Sequence, residues 1–338
     1  MTKHDFLSKN WGRVRLKFQQ YGNGAKVRSQ KQKNDMRRDC LKRRIACGLS
    51  AGVMLLAGVV EISRSVSLAV SPAGLLVQEV RPGEVCSIYE VSKTGLTIYN
   101  RDDKAHTYLL SAHRPSTVGN KRWEKGYLEI PDPKWCWFGK KELTVEANGK
   151  GLAKIYLEVP DEEKYYNQHW VVTLGVMGKP KAGLGVALGV YVRLQIETKS
   201  KADIEGKPDG IIAFKPSTVR FDNVSLGRAQ EGTVVICNND NETRSYRITS
   251  LLHKKETKTR TYLTRSYQMI PDPDWIVLAK NRLRIGPGWT RSLSLTLKVP
   301  DEPKYYGKKW EEILLVEPDK GPPGFIRIKI EARKTDVD

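Results

Sequence analysis

The chain has 338 residues, of which 39% are hydrophobic and 28% charged, and its formal net charge is +20. The length allows two domains with separate cores, and the composition is that of soluble globular domains. The charge alone would suggest nucleic-acid binding, but residues 1–44 hold fourteen Lys/Arg against three Asp/Glu. Because most of the excess charge belongs to this tail, nucleic acid is not the partner that we expect.

The first 69 residues have the layout of an export segment. Residues 1–44 are polar and basic without a hydrophobic period, which predicts a disordered tail. If Met36 is the true start, residues 1–35 are an upstream extension. Residues 45–60 are apolar or small, and Ser67 and Ala69 follow. Residues 45–69 are therefore interpreted as the apolar core and cleavage region of a signal peptide or, if uncleaved, as a signal anchor. We expect an exported protein of the periplasm or cell surface, with membrane contact only through residues 45–60.

A long internal repeat organises the rest of the chain. The stretch from Ile130 to Trp170 returns from Ile270 to Trp310, with the shared Ile-Pro-Asp-Pro, Val-Pro-Asp-Glu and Trp in the same register. A repeat of this length indicates two copies of one domain. We place the first domain at residues 70–199, a charged linker with Gly and Pro at 200–210, and the second domain at 211–334.

Both copies alternate between apolar and polar residues, as half-buried strands do. Ile155, Leu157 and Val159 alternate with polar neighbours, and so do Leu293, Leu295, Leu297 and Val299. Short runs of this kind, one of them at 85–90, are separated by polar turns, and no helical spacing is evident. This pattern predicts an all-β protein with two tandem immunoglobulin-like (Ig-like) antiparallel β-sandwiches.

The strand and turn motifs resemble a known group. VSPAGLLVQEVRPGE at 70–84 matches FKPSTVRFDNVSLGR at 214–228, and LTIYNRDDKAHTYLL at 96–110 matches VVICNNDNETRSYRI at 234–248. These segments resemble the Ig-like modules of bacterial cell-envelope and surface proteins and, distantly, Ig-like domains of the pilus-chaperone type. The resemblance implies the sandwich fold and a role at the envelope.

Six aromatic residues recur in the two copies: Trp135, Tyr165, Trp170, Trp275, Tyr305 and Trp310. We interpret them as a structural motif at the strand ends, and the two prolines of Ile-Pro-Asp-Pro predict a stiff extended corner. The alternative is an aromatic patch for a ligand such as a sugar.

Copy-specific residues are better candidates for a binding surface. They are Trp123, Trp137, Lys254, Lys255, Lys258 and Arg260. Arg282, Arg284 and Arg291 add to the basic character of the second copy. A patch of this kind suits an anionic polysaccharide, phospholipid headgroups or an acidic partner.

The sequence predicts no catalytic, cofactor or metal site. It has no nucleophile elbow, no calcium loop and no Cys/His pattern with metal spacing. The repeats contain Cys86, Cys136 and Cys237, which we expect to be free buried thiols. The alternative is one disulfide among the three.

The main hypothesis is a non-enzymatic exported envelope or surface protein with a structural or binding role. The first alternative is a periplasmic chaperone or assembly factor that lends a strand edge to a client. The second alternative is a polysaccharide-binding module. The expected partner is another envelope protein or an anionic polysaccharide.

Overall fold

The computed structural model describes residues 68–119, 124–179, 188–255 and 262–334, and all of them belong to one compact unit. The predicted tail and nearly all of the export segment lie outside the described residues. The described chain is almost entirely β-structure arranged as two sandwich halves, which confirms the predicted fold class. Among the described residues, no helix has the length and apolar character to cross a membrane.

The first half contains one helix, α1 (Ile88–Ser92), and twelve strands. The strands are β1 (Leu68–Ser71), β2 (Gly74–Val80), β3 (Val85–Ser87), β4 (Leu96–Asn100), β5 (His106–His113), β6 (Leu128–Glu129), β7 (Cys136–Phe138), β8 (Glu142–Val145), β9 (Lys150–Ala153), β10 (Ile155–Glu158), β11 (His169–Gly178) and β12 (Gly189–Thr198).

The second half follows with ten strands. They are β13 (Ile212–Lys215), β14 (Thr218–Val224), β15 (Ala229–Asn238), β16 (Arg244–Ser250), β17 (Gln268–Met269), β18 (Ile276–Leu278), β19 (Arg282–Ile285), β20 (Thr290–Lys298), β21 (Lys309–Pro318) and β22 (Gly324–Ala332). Short 3-10 turns precede β7, β11, β18 and β21.

The halves share one topology. One sheet runs β2-β12-β11-β5-β8 in the first half and β14-β22-β21-β16-β19 in the second. The facing sheet of the second half is β13-β15-β20-β18, and the first half divides its counterpart into β1-β4-β9 and β3-β10-β7. Most pairings are antiparallel as expected, but four are parallel: β2 with β12, β6 with β11, β14 with β22 and β17 with β21.

The division of the facing sheet in the first half has a cause that is visible in the sequence. From Gly83 to Asn100 the first half has six more residues than the second half has from Gly227 to Asn238. These two glycines and two asparagines occupy equivalent places, since Gly83 and Gly227 both donate a backbone hydrogen bond to the end of a later strand. The extra residues form α1, so the predicted strand at 85–90 is wrong beyond Ser87.

Each half has its own apolar core. Ile155, Leu157 and Val159 are buried in the first core, and Leu293, Leu295, Leu297 and Val299 are buried in the second. The predicted alternation is confirmed at these strands, because their intervening side chains point away from the core. The predicted domain bounds stay a prediction, although β1 already starts at Leu68, two residues before the expected mature start.

A third buried cluster joins the halves. It combines Tyr127 and Val171 with residues of the second half, which are Leu251, Leu252, Tyr262, Ile313, Leu315 and Phe325. Strands β11 and β21 are consequently buried on both faces over most of their length. We call this cluster, together with the charged side chains beside it, the junction.

Candidate functional site

The six repeated aromatic residues form two matching corners. In the first half, Trp135, Tyr165 and Trp170 have ring centroids 5.0, 5.6 and 5.9 Å apart. The trio of the second half, Trp275, Tyr305 and Trp310, gives 4.9, 5.3 and 5.5 Å. Both trios pack on their cores, and Trp170 and Trp310 are each only 2% exposed. Rings in this position stabilise the fold and leave little surface for a ligand.

The prolines before each corner do not form the expected extended segment. Asp132 and Asp272 cap short 3-10 turns at Pro133–Trp135 and Pro273–Trp275, and each carboxylate accepts a hydrogen bond of 2.9 Å from a backbone N–H of its turn. The turn, started by proline and capped by aspartate, aims the tryptophan at the core. The prediction of an extended corner was therefore wrong in its local geometry.

The corner of the first half has a second task, because it holds the predicted linker. Asn167 donates a 2.7 Å hydrogen bond to the carbonyl of Lys201 and accepts one from Ser217 N at 3.0 Å. Glu163 accepts from Lys201 Nζ at 2.8 Å, and Gln168 donates to the carbonyl of Asp209. The second copy has Pro303, Gly307 and Lys308 at the positions of Glu163, Asn167 and Gln168. The polar residues specific to the first copy thus fix the connection between the halves.

The predicted binding residues do not form one surface among the described residues. Trp123, Lys258 and Arg260 lie outside them. Trp137 is half-buried and stacks on Tyr156 with ring centroids 5.9 Å apart. Lys255 is exposed, and Lys254 lies 3.8 Å from Glu317. Of the six candidates, Lys254 is the one that lies beside a larger charged surface, because Glu317 belongs to that surface.

That feature is a groove on the outer face of the second half, which we call the cationic groove. Its volume is about 560 Å³, and it lies over strands β16, β19 and β21. Its lining residues are Ser245, Tyr246, Arg247, Arg282, Leu283, Arg284, Glu317, Pro318 and Asp319.

The charges of the cationic groove form a row across the strands. Arg282 on the edge strand β19 lies opposite Arg247, and Arg247 lies opposite Glu317. Arg247 donates to Glu317 at 3.1 Å, and Lys125 Nζ lies 3.7 Å from the same carboxylate. Directly opposed arginines repel each other. Glu317 compensates this repulsion only in part, because Lys125, Arg247 and Lys254 all surround that one carboxylate.

The first half shows that the fold itself does not require these arginines. Its matching registers place Leu109 opposite Glu142 and Met177 opposite Leu109. Leu109, Glu142 and Met177 occupy the positions of Arg247, Arg282 and Glu317, in that order. Thr144 occupies the position of Arg284. Glu142 is paired with Lys179 at 3.0 Å. Both halves keep the same strands at this place, so the three arginines of the cationic groove are specific to the second copy.

The junction contains a buried ion network that crosses from one half to the other. Arg327 is fully buried, donates from Nε to Glu197 Oε2 at 2.9 Å and pairs with Glu311 at 2.9 Å. Glu197 also accepts from the Tyr127 hydroxyl at 2.6 Å, and Arg327 Nη1 donates to the carbonyl of Tyr262 at 2.8 Å. Charged hydrogen bonds on this scale compensate the cost of removing the ions from water.

The network changes the ionisation of its members. Burial alone would raise the pKa of Glu197, but Arg327 and the Tyr127 hydroxyl lower it to about 2. Burial lowers the pKa of His169, which stacks on Phe325, to about 4. Both groups are therefore fixed in one ionisation state near neutral pH, Glu197 as the anion and His169 as the neutral ring. This is the behaviour of a structural network.

Glu312 is the buried carboxyl with the opposite tendency. It is 1% exposed, and burial raises its pKa to about 7. It accepts hydrogen bonds from Ser250 at 3.1 Å and from Ile313 N at 2.8 Å. His253 Nε2 lies 3.2 Å from its Oε2, outside hydrogen-bonding geometry.

No group of three potential metal ligands occurs among the described residues. Cys86, Cys136 and Cys237 are free thiols, and burial raises the pKa of Cys136 to about 12. A thiol in that state is not a reactive nucleophile. Cys136 and Cys237 are buried, whereas Cys86 is half-buried.

Comparison with known proteins gives only distant likenesses. No family model matches the chain, and no curated protein matches it. Among solved structures, a Porphyromonas gingivalis W83 protein of unknown function is similar at 14% identity and a TM-score of 0.30, covering 78% of this chain and 99% of its own. The E. coli chaperone DraB is similar at 12% identity and a TM-score of 0.27, with 79% and 98% covered. A Salmonella enterica SafA pilin in complex with the SafB chaperone gives 10% identity and 0.28, with 79% and 96% covered. These matches include chaperones of the group that the sequence resembles, and at TM-scores of 0.30 or less they carry no argument about function.

Proposed function

We propose that this chain is an exported, non-enzymatic protein of the bacterial cell envelope that uses two fused Ig-like sandwiches as a rigid support for a binding surface. The observation that carries the proposal is the junction. A solvated linker would leave the halves free to move, whereas here an apolar cluster and a buried ion network hold them together. The surfaces that differ between the copies are thereby held at fixed distances from each other.

The basic region and apolar run at residues 36–60 support the export part of the proposal. The test is N-terminal sequencing of the native protein after cell fractionation. We expect a mature chain that starts at Val70 in an extracytoplasmic fraction. An N-terminus at Met1 or Met36 in the membrane fraction would identify an anchor instead, and recovery from the cytosol would contradict export.

One observation favours the chaperone alternative. Strand β2 pairs with β12 only from Arg193 onward, so the β12 edge at Gly189–Val192 has no partner on that side among the described residues. A client strand could pair there. The apolar side chains of β12 offer little to such a client, however, because Val192, Leu194 and Ile196 are buried in the chain's own core.

The two readings differ in what a client would need. A strand-lending chaperone should hold one envelope protein in a stable complex, and Tyr191→Pro should abolish that complex by removing a donor from the free edge. Gel filtration of co-expressed candidates measures this, and the circular dichroism spectrum and urea unfolding of the Tyr191→Pro variant check that it still folds. Absence of a complex with any pilin-like client would leave the support function as the better account.

A further inference from the structure

We propose that the cationic groove binds an acidic polysaccharide. The inference deepens the proposed envelope function and rests on it. Three arginines line the groove, and Arg282 and Arg284 have no carboxylate partner within salt-bridge distance among the described residues. Guanidinium groups bind carboxylate, sulfate and phosphate groups through paired hydrogen bonds. Cations left unpaired on a concave surface provide a site for a ligand that brings its own negative charge.

The arrangement of the charges favours a chain that crosses the strands. Arg282, Arg247 and Lys254 or Lys125 around Glu317 extend over three strands, and adjacent strands lie about 4.8 Å apart. An acidic peptide added to the free edge of β19 would run beside Arg282 and Arg284 and would leave the other cations unused. A crossing polymer reaches all of them.

The acceptors in the groove favour a sugar over a simple polyanion. Glu317, Asp319 and Ser245 lie among the arginines. Carboxylates accept hydrogen bonds from sugar hydroxyl groups and repel a ligand that carries only negative charge. A ligand with both hydroxyl donors and anionic groups, such as a polyuronate, matches this mixture of acceptors and cations. Nucleic acid and polyphosphate have a less suitable donor content.

The first half supplies the argument against a purely structural role for the arginines. Charged residues on an edge strand protect it from pairing with other chains, and Arg282 and Arg284 could serve that purpose alone. The equivalent edge strand β8 is protected differently, with Glu142 and Thr144 at the same positions. Arg247 lies on the interior strand β16, where no edge needs protection. Its counterpart is Leu109, so protection of an edge does not explain it.

The test measures binding of a defined polyuronate fragment to the full chain by titration calorimetry, with uncharged dextran as the neutral polymer. The test variant is Arg247→Leu/Arg282→Glu/Arg284→Thr, which uses the residues that the first half carries. A second variant, Arg282→Gln/Arg284→Gln, is a smaller change and carries the test if the first variant does not fold. The control is Lys140→Gln/Lys141→Gln/Lys154→Gln, which removes three exposed cations from the first half and leaves the basic tail in place.

We expect polyuronate binding that weakens about tenfold or more in both groove variants and stays within about twofold in the control. Dextran should not bind. Equal weakening in the control, or binding unaffected by the groove variants, would assign the affinity to general charge or to the basic tail and would overturn the proposal. Tighter binding of polyglutamate than of polyuronate, lost in the same variants, would overturn it in favour of an acidic protein partner. The fractionation experiment above tests export separately, so either proposal can fail alone.

Discussion

Replacement of Arg327 by methionine is the sharpest test of the junction. The side chain is fully buried between Glu197 of the first half and Glu311 of the second. Methionine keeps much of the volume but removes the cation and the donors to both carboxylates and to the carbonyl of Tyr262. The change would remove the ion-pair partner of two buried carboxylates, while Lys329 still lies opposite Glu311 on the neighbouring strand, and losing one partner is far more costly than replacing a whole network.

The size of the effect follows from the ionisation of Glu197. Its pKa is about 2 in the folded chain against an ordinary value of 4.5, so this group adds on the order of 3 kcal/mol to stability at pH 7. That contribution is present above pH 4.5 and is lost as the pH falls toward 2. We expect Arg327→Met to remove it and to lower the free energy of unfolding by about 3–5 kcal/mol at pH 7. The loss should shrink toward pH 4.5, where Glu197 without its ion-pair partner takes up a proton.

The measurement is urea unfolding followed by tryptophan fluorescence at pH 7 and pH 5. The control is the triple variant Arg327→Met/Glu197→Gln/Glu311→Gln, which removes the charges together and should recover most of the loss. A loss below about 1 kcal/mol for the single variant would refute the reasoning. So would a triple variant no more stable than the single one, since the cost would then come from packing.

Three further predictions concern the rest of the fold. Trp170→Ala and Trp310→Ala should each destabilise the chain by about 3–5 kcal/mol in urea unfolding, because both rings are buried; a loss below about 1 kcal/mol would reopen the corners as ligand sites. Glu312, which has His253 and Glu311 beside it, has a raised pKa, so its contribution to stability is complete below pH 4.5 and is lost as the pH rises to about 7. The free energy of unfolding of Glu312→Gln should therefore rise by up to about 3 kcal/mol relative to the native chain between these pH values, whereas that of the exposed control Glu158→Gln should not. A difference between variant and native chain that stays constant with pH would contradict this. A fragment that ends near Lys201 and one that starts near Asp209 should each give a β-rich circular dichroism spectrum, and the two should bind each other in trans, because separation exposes the apolar cluster. Two folded fragments that do not associate in gel filtration would show the junction to be weak.

The strands and cores could be predicted because they follow from local patterns. Alternation located the buried faces of Ile155–Val159 and Leu293–Val299. Of the six repeated aromatic residues, four are buried, and Trp135 and Tyr305 are half-buried against the cores. Helix α1 was missed although a signal existed. The longer distance from Gly83 to Asn100 than from Gly227 to Asn238 marks an insertion, but its five helical residues are too few for a period to show.

The junction was missed for a different reason. Glu197 and Arg327 alternate with apolar residues on their strands, and a period of two assigns such residues to solvent. Glu311 stands between Trp310 and Glu312, and its charge predicts exposure as well. They are buried because the other half covers that face of the sheet, a long-range effect that no local pattern contains. A weaker signal was present in the continuous apolar run Ile313–Val316 and in Val171–Val176, which is interrupted only by Thr173. Runs of this kind are typical of strands that are buried on both faces.

The cationic groove depends on the junction, and this connects the two sites. Lys125 belongs to the first half, yet its ammonium group lies 3.7 Å from Glu317, and the adjoining Tyr127 is part of the apolar cluster. The Tyr262 hydroxyl donates to the carbonyl of Lys125 at 3.2 Å and holds that segment against the second half. The first half thus supplies, across the junction, one cation that lies beside the groove at Glu317. Fusion of two copies therefore does more than double a domain, because it brings together charges that neither copy holds alone.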